Sequence, residues 1–226
     1  MPSSFKEFVC LFRSYIYNLT MNNTDSIRSY AIMILALVYL VIRFAFTAQL
    51  DALGVYSSYI FEVICLVLAA AILGKRTLTN LSFTKSVLPW TPVSLVAGFA
   101  IYKAAGPLEI LIPFVFNTPE TLIFLLIVAP VLEEAIFRFF LWQSFQISTR
   151  GRIIALILTS LIFSYSHLHA IWFVAPEIHK FVLFQTAYTL ALGFACGFFV
   201  YRYASLTSAI LIHFAFNLGF YIASII

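Results

Sequence analysis

Apolar stretches of about 20 residues follow one another along most of this chain, and they constrain its fold more than any other feature. A helix needs about 20 mainly apolar residues to cross the hydrocarbon core of a bilayer. Hydrophobic residues make up 63% of the chain and charged residues 10%, whereas soluble proteins average about 45–50% and about 25%. A soluble fold of this size could not cover so much apolar surface, so the sequence predicts a chain embedded in lipid.

Seven stretches are predicted as transmembrane helices. They cover 30–49, 52–74, 88–104, 119–147, 153–172, 181–201 and 205–226. Residues 5–19 alternate aromatic and charged positions, which predicts an amphipathic helix on the inner membrane surface. The predicted fold is therefore all-α: a polytopic membrane helix bundle of about seven transmembrane helices plus an N-terminal interfacial helix. Because no linker divides the chain, we predict a single integral membrane domain, 1–226, with a cytoplasmic or interfacial segment at 1–28.

The basic residues predict an orientation, because cytoplasmic loops carry an excess of Lys and Arg. With the N-terminus inside, nine of the 13 basic residues fall in cytoplasmic segments and only Lys103 and Lys180 fall in outer ones. We therefore expect a cytoplasmic N-terminus, an outer C-terminus and, from the economy of the chain, a prokaryotic inner (plasma) membrane. The net charge of +4 reflects this excess. Nucleic acid is not expected as a partner, since no dense basic cluster interleaved with aromatic residues occurs.

Ionisable residues inside the predicted spans are the candidates for chemistry, because charge is costly in lipid. Glu134 and Arg138 are four residues apart on the fourth span, which predicts an ion pair. Glu133 is left without a helical partner of opposite charge, and a buried unpaired carboxylate is suited to act as a general base or acid. A purely structural Glu–Arg pair is the alternative. Glu62 is predicted to pair with Arg43 or to line the cavity that holds the candidate residues.

Two further spans carry polar side chains. His167 follows Phe163 by one turn on the fifth span, and His213 and Asn217 share a face of the seventh. The latter two can donate hydrogen bonds to a developing oxyanion; packing histidines and an interhelical polar clamp are the alternatives. Counted along the helices, the depths of these groups agree within roughly 6 Å. This predicts one shared cavity, open to the cytoplasmic side, whose side chains suit water-mediated acyl hydrolysis.

The three motifs, in this order, resemble those of the CPBP intramembrane proteases. That family includes the CAAX prenyl endopeptidases and the Abi-type bacteriocin-processing or immunity proteins. Here the motifs read Glu133-Glu134-x-x-x-Arg138, Phe163-x-x-x-His167 and His213-x-x-x-Asn217. The resemblance covers the C-terminal half of the chain and implies that the helices within 119–226 are catalytic.

The resemblance implies a glutamate-type endopeptidase that needs no metal and no other cofactor. By position, Glu133 would activate water and His167 would help to hold it. Glu134 and Arg138 would orient and balance charge at the site. The implied partners are the lipid bilayer and a peptide or protein substrate at the membrane.

The oxyanion hole falls, by the same resemblance, to His213 and Asn217. No motif supplies a nucleophile, so no covalent acyl-enzyme is implied, and Cys196 is interpreted as a packing residue. The residue types also leave a zinc site open, with Glu133, His167 and His213 as three ligands, although the sequence contains no HExxH motif.

The sequence is also compatible with functions other than proteolysis. A non-catalytic immunity or scaffold protein would keep the motifs for packing alone, and an ion-coupled transporter would use Glu62, Glu133 and Arg138 as a relay. The sequence does not distinguish a prenylated peptide, a bacteriocin leader or another precursor as the substrate. Gly193 and Gly197 form a close-packing motif, for which we expect packing within the chain rather than dimerisation.

Overall fold

The computed structural model of the protein describes residues 26–54, 56–74, 81–116, 118–149 and 151–226. These residues form helices and connecting loops, with no β-strand among them. The interfacial helix predicted at 5–19 lies outside the described residues. The predicted all-α, polytopic architecture is confirmed.

Seven helices correspond to the seven predicted stretches. They are α1 (Ser26–Ala45), α2 (Ser57–Leu73), α3 (Lys85–Ala105), α4 (119–149), α5 (Arg152–Trp172), α6 (Pro176–Tyr203) and α7 (Leu206–Ile225). Within the described ranges, α1, α3, α5, α6 and α7 are long and apolar enough to cross a membrane, whereas α2 is a shorter apolar helix of 17 residues. A short helix, Thr47–Ala52, connects α1 to α2.

Helix α4 begins at a capped turn and is irregular along its length. The Thr118 side chain accepts a hydrogen bond from the Thr121 backbone N–H at 3.2 Å, which satisfies one of the donors that a helix start leaves free. Two segments of α4, Phe124–Val128 and Ala135–Leu141, are π-helical and flank the α-helical turns Ala129–Glu134. Such π segments often occur at functional sites, and here they bracket the acidic pair.

Helices α3 and α7 approach so closely that their backbones touch. The Ser94 hydroxyl on α3 donates to the Ile212 carbonyl on α7 at 2.7 Å. One turn away, a Cβ on Gly98 would overlap the Phe216 carbonyl, and a Cβ on Gly219 would overlap the Leu95 carbonyl. Glycine is therefore required on both sides of this contact, which fixes the position of α7 in the bundle.

A Gly219→Ala variant is expected to destabilise the protein, because the added methyl group would push α7 away from α3. Overpacking of this kind costs about 1–3 kcal/mol, measurable as a lower midpoint of thermal unfolding in detergent. The control is Gly106→Ala at the end of α3, where a Cβ would meet nothing closer than the Lys103 carbonyl at 3.7 Å. Equal midpoints for the two variants would contradict the close α3–α7 contact.

The glycine pair of α6 packs within the chain, as expected. A Cβ on Gly193 would lie 3.1 Å from the Phe163 ring and 3.3 Å from Nη2 of Arg138, and a Cβ on Gly197 would lie 3.4 Å from Nη1 of the same guanidinium. The missing side chains therefore make room on α6 for a guanidinium that comes from α4.

Candidate active site

Glu134 is the centre of a buried polar network. Its side chain is 1% exposed, and each carboxylate oxygen has a partner. Nε of Arg138 donates to Oε2 at 3.2 Å, and Nδ1 of His213 lies 2.9 Å from Oε1. Because an ionised carboxylate only accepts hydrogen bonds, Nδ1 carries the proton and Nε2 is left to face the neighbouring space. The predicted Glu134–Arg138 pair is present, and its link to His213 on α7 is an addition that the sequence did not predict.

Arg138 fastens this network to two further helices. Its guanidinium donates at 2.6 Å to the Thr159 hydroxyl on α5 and at 2.7 Å to the Gly193 carbonyl on α6. The Ser160 hydroxyl lies 3.5 Å away, and the Phe163 ring lies 5.8 Å from the guanidinium carbon. With its side chain fully buried, Arg138 holds α4, α5 and α6 in fixed relative positions around Glu134.

A cavity of about 150 Å³ lies beside this network and is called the site cavity below. Four of the six predicted site residues line it: Glu133, His167, His213 and Asn217. They come from α4, α5 and α7, so the bundle brings together side chains that are far apart in the sequence. Glu134 and Arg138 do not line the cavity. They are connected to it by the hydrogen bond between Glu134 and His213.

Glu133 and His167 keep polar atoms available to the site cavity. The Glu133 side chain is 29% exposed, although this residue lies in the middle of a helix. The distance of 3.8 Å between its Oε2 and Nε2 of His213 exceeds a direct hydrogen bond. Nδ1 of His167 donates to the Phe163 carbonyl at 2.9 Å, which leaves Nε2 of the neutral ring as an acceptor.

The two predicted oxyanion donors differ in which N–H groups remain available for a substrate. Asn217 donates one amide hydrogen to the Leu125 carbonyl, in the first π segment of α4, at 2.8 Å, so its second amide hydrogen is available. His213 can donate from Nε2 only when its ring carries a second proton. The carboxylates of Glu133 and Glu134 stabilise that positive charge.

The site cavity lies toward the end of the bundle where α4 begins. Phe114 and Phe116 precede α4, Thr121 lies in its first turn, and all three line the cavity. If the N-terminus is cytoplasmic, successive helices place the start of α4 on the outer side. The predicted orientation is therefore incompatible with the predicted opening toward the cytoplasm, because agreement in depth does not define the direction in which a cavity opens.

One group of three possible metal ligands lies close together within the described parts of the chain. Ligand atoms of Glu134, Cys196 and His213 lie within 4.8 Å of one another. All three residues are buried, the Glu134 oxygens already have partners, and the Arg138 guanidinium next to them repels a cation. A catalytic zinc needs an open coordination position, which this enclosed group does not offer. The zinc set considered from the sequence shares only His213 with it.

Most of the residues that hold this site in place were not predicted from the sequence. Thr159, Ser160 and the Gly193 carbonyl hold Arg138, and the Leu125 carbonyl holds Asn217. The adjacent hydroxyls of Thr159 and Ser160 inside an apolar span were a usable signal, since lipid rejects unpaired polar groups. The backbone carbonyls left no signal in the sequence.

Comparison with known proteins identifies the part of the chain that carries this site. Residues 115–219 match the family model described as type II CAAX prenyl endopeptidase Rce1-like. The match covers slightly less than half of the chain and contains all three motifs. No curated protein and no solved structure matches the chain. The resemblance to the CPBP proteases is thus confirmed: the segment 115–219 is similar to the type II CAAX prenyl endopeptidases of the Rce1-like family.

Proposed function

We propose that the protein is an intramembrane glutamate-type endopeptidase, in which Glu133 and His167 activate a water molecule that hydrolyses a peptide bond. The observation that carries this proposal is the common lining of the site cavity by a carboxylate, two imidazoles and an amide from three helices. A cavity of this size and polarity is large enough to hold water. The Rce1-like match supports peptide hydrolysis as the reaction class.

The reaction begins with removal of a proton from water. The Glu133 carboxylate takes this proton while Nε2 of His167 accepts the hydrogen bond of the other, and the water oxygen bonds to the peptide carbonyl carbon. The carbonyl oxygen becomes an oxyanion. Glu133 then gives its proton to the peptide nitrogen, the C–N bond breaks, and the products are a carboxylic acid and an amine.

The oxyanion is held by His213 and Asn217 in this mechanism. Nε2 of the protonated His213 and the second amide hydrogen of Asn217 donate to it inside a cavity with mainly apolar walls, where such bonds are strong. Glu134 fixes the orientation of His213 through the bond to Nδ1. Arg138, in turn, keeps the Glu134 carboxylate ionised and in place.

Direct assay of the purified protein tests this function. The probe is a fluorogenic peptide ending in a prenylated cysteine followed by three residues, as the family description suggests, and its unprenylated counterpart is run in parallel. We expect cleavage that releases the last three residues as a free peptide. Absence of cleavage of both peptides and of any membrane peptide in a comparative peptidome would favour a non-catalytic scaffold protein.

Chelation separates this mechanism from a zinc peptidase. We expect full activity after prolonged treatment with EDTA or 1,10-phenanthroline, because the proposed water activation depends on Glu133 and His167 and on no metal. The same treatment of a known zinc peptidase provides the control. Loss of activity that returns on adding Zn²⁺ would assign the reaction to a metal centre.

A further inference from the structure

A second polar cavity adjoins the site and is separate from the space assigned to the peptide. It measures about 230 Å³ and is called the Arg43 chamber below. Glu133, His167 and Gln185 line both this chamber and the site cavity, so the proposed base and its partner stand between the two spaces. The far wall of the chamber comes from α1 and α2, which lie outside the segment matched by the family model.

The lining of the Arg43 chamber is unusually polar for a space between transmembrane helices. The Tyr39 hydroxyl donates to Oε1 of Glu62 at 3.4 Å, and Nε of Arg43 lies 3.4 Å from the same oxygen. Tyr59 on α2 and Ser166 on α5 also line the chamber, and the Ser166 hydroxyl donates to the Phe163 carbonyl at 2.7 Å. Polar groups at this depth either pair with one another or border water; Tyr39, Arg43 and Glu62 pair with one another and also line a cavity.

Three of the lining residues from α1 and α2 are partly exposed. Tyr59 is 37% exposed, the Arg43 side chain 25% and the Glu62 side chain 14%. The chamber is therefore open where α1 ends and α2 begins, and Glu133 lies on the side that the chamber shares with the site cavity. A polar route thus runs from the surface of the bundle to the proposed base without crossing the site cavity.

The charges of the chamber favour a neutral polar occupant. Two carboxylates, Glu62 and Glu133, face one guanidinium, Arg43, which is already paired. An anionic group, such as the terminal carboxylate of a peptide, would meet net repulsion there. The volume is sufficient for several water molecules, each with polar partners on the walls.

We propose that the Arg43 chamber is the water supply of the enzyme: it admits water at the end of α1 and delivers it to Glu133, opposite the face that meets the peptide. This inference rests on the proposed function for its role in hydrolysis. Its structural part, a hydrated chamber, can be tested without any substrate.

Cysteine labelling in lipid nanodiscs tests the hydration. Ser166→Cys places a thiol in the chamber, whereas Tyr165→Cys places one on the neighbouring, lipid-facing position of α5, where the native side chain is 46% exposed. The probe is 2-aminoethyl methanethiosulfonate, which reacts with the thiolate. Since ionisation of the thiol requires water, we expect Ser166→Cys to be modified at least about tenfold faster, after subtraction of the wild-type background. Equal rates would overturn the proposal, whatever the protein's activity.

Blocking the chamber tests the delivery of water. Ser166→Leu fills the chamber, whereas Leu161→Phe adds bulk at a position of α5 that is 47% exposed and lies outside both cavities. We expect Ser166→Leu to lower kcat at least about tenfold with KM unchanged, and Leu161→Phe to keep the wild-type rate. Full activity of a folded Ser166→Leu enzyme would show that water reaches Glu133 by another route. Fast labelling combined with a wild-type enzyme that cleaves no peptide would overturn the proposed function and leave the hydrated chamber intact.

Discussion

Replacing Glu133 with glutamine is expected to lower the rate of peptide hydrolysis at least about a hundredfold, the usual contribution of a general base or acid. The amide has nearly the same shape as the carboxylate but cannot accept the proton of the attacking water. The fold should tolerate the change, because the nearest charged partner, Nε2 of His213, is 3.8 Å away. Initial rates with the fluorogenic peptide and the thermal-unfolding midpoint are the two measurements.

The matched control for this substitution lies on the same helix. Glu120 is exposed in the first turn of α4 and lies outside both cavities, so Glu120→Gln should leave the rate unchanged. A Glu133→Gln enzyme that retains the wild-type rate would move water activation to another residue and refute the assignment of the base.

The helices and their polar groups could be predicted from the sequence because each obeys a local rule. Apolar length marked the spans, and the spacing of four residues marked the Glu134–Arg138 pair. The contact between Glu134 and His213 could not be predicted in the same way, since the two residues are 79 positions apart and meet only through the packing of α4 against α7. Spacing had grouped His213 with Asn217 alone, whereas the structure makes it a link between Glu134 and Glu133.

The number and direction of the cavities also depended on packing. Agreement in depth predicted a single cavity, but Glu133 and His167 line two, and the second is completed by residues of α1 and α2. The π segments of α4 contributed as well, and no periodicity of apolar residues reports them. Of the two alternatives left open for Glu62, pairing with Arg43 occurs, whereas the cavity that Glu62 lines is the second one and not the site cavity.

Arg138→Met is expected to destabilise the protein by about 3–5 kcal/mol, the usual cost of removing one partner of a buried ion pair. The Glu134 carboxylate would lose its strongest partner and remain buried, and the Thr159 hydroxyl and Gly193 carbonyl would lose their donor. The measurement is the free energy of unfolding in mixed micelles. Arg28→Met, at an exposed position near the start of α1, is the control and should change it little.

The double variant Glu134→Gln/Arg138→Met separates the structural role of this pair from its role in positioning. Without a buried carboxylate to neutralise, most of the lost stability should return, because replacing both members of a buried pair is often close to neutral. Hydrolysis should stay low, since the uncharged amide that replaces the Glu134 carboxylate no longer stabilises the protonated His213. A stable double variant with wild-type activity would contradict a positioning role for Glu134 and Arg138. It would show that the pair contributes to packing alone.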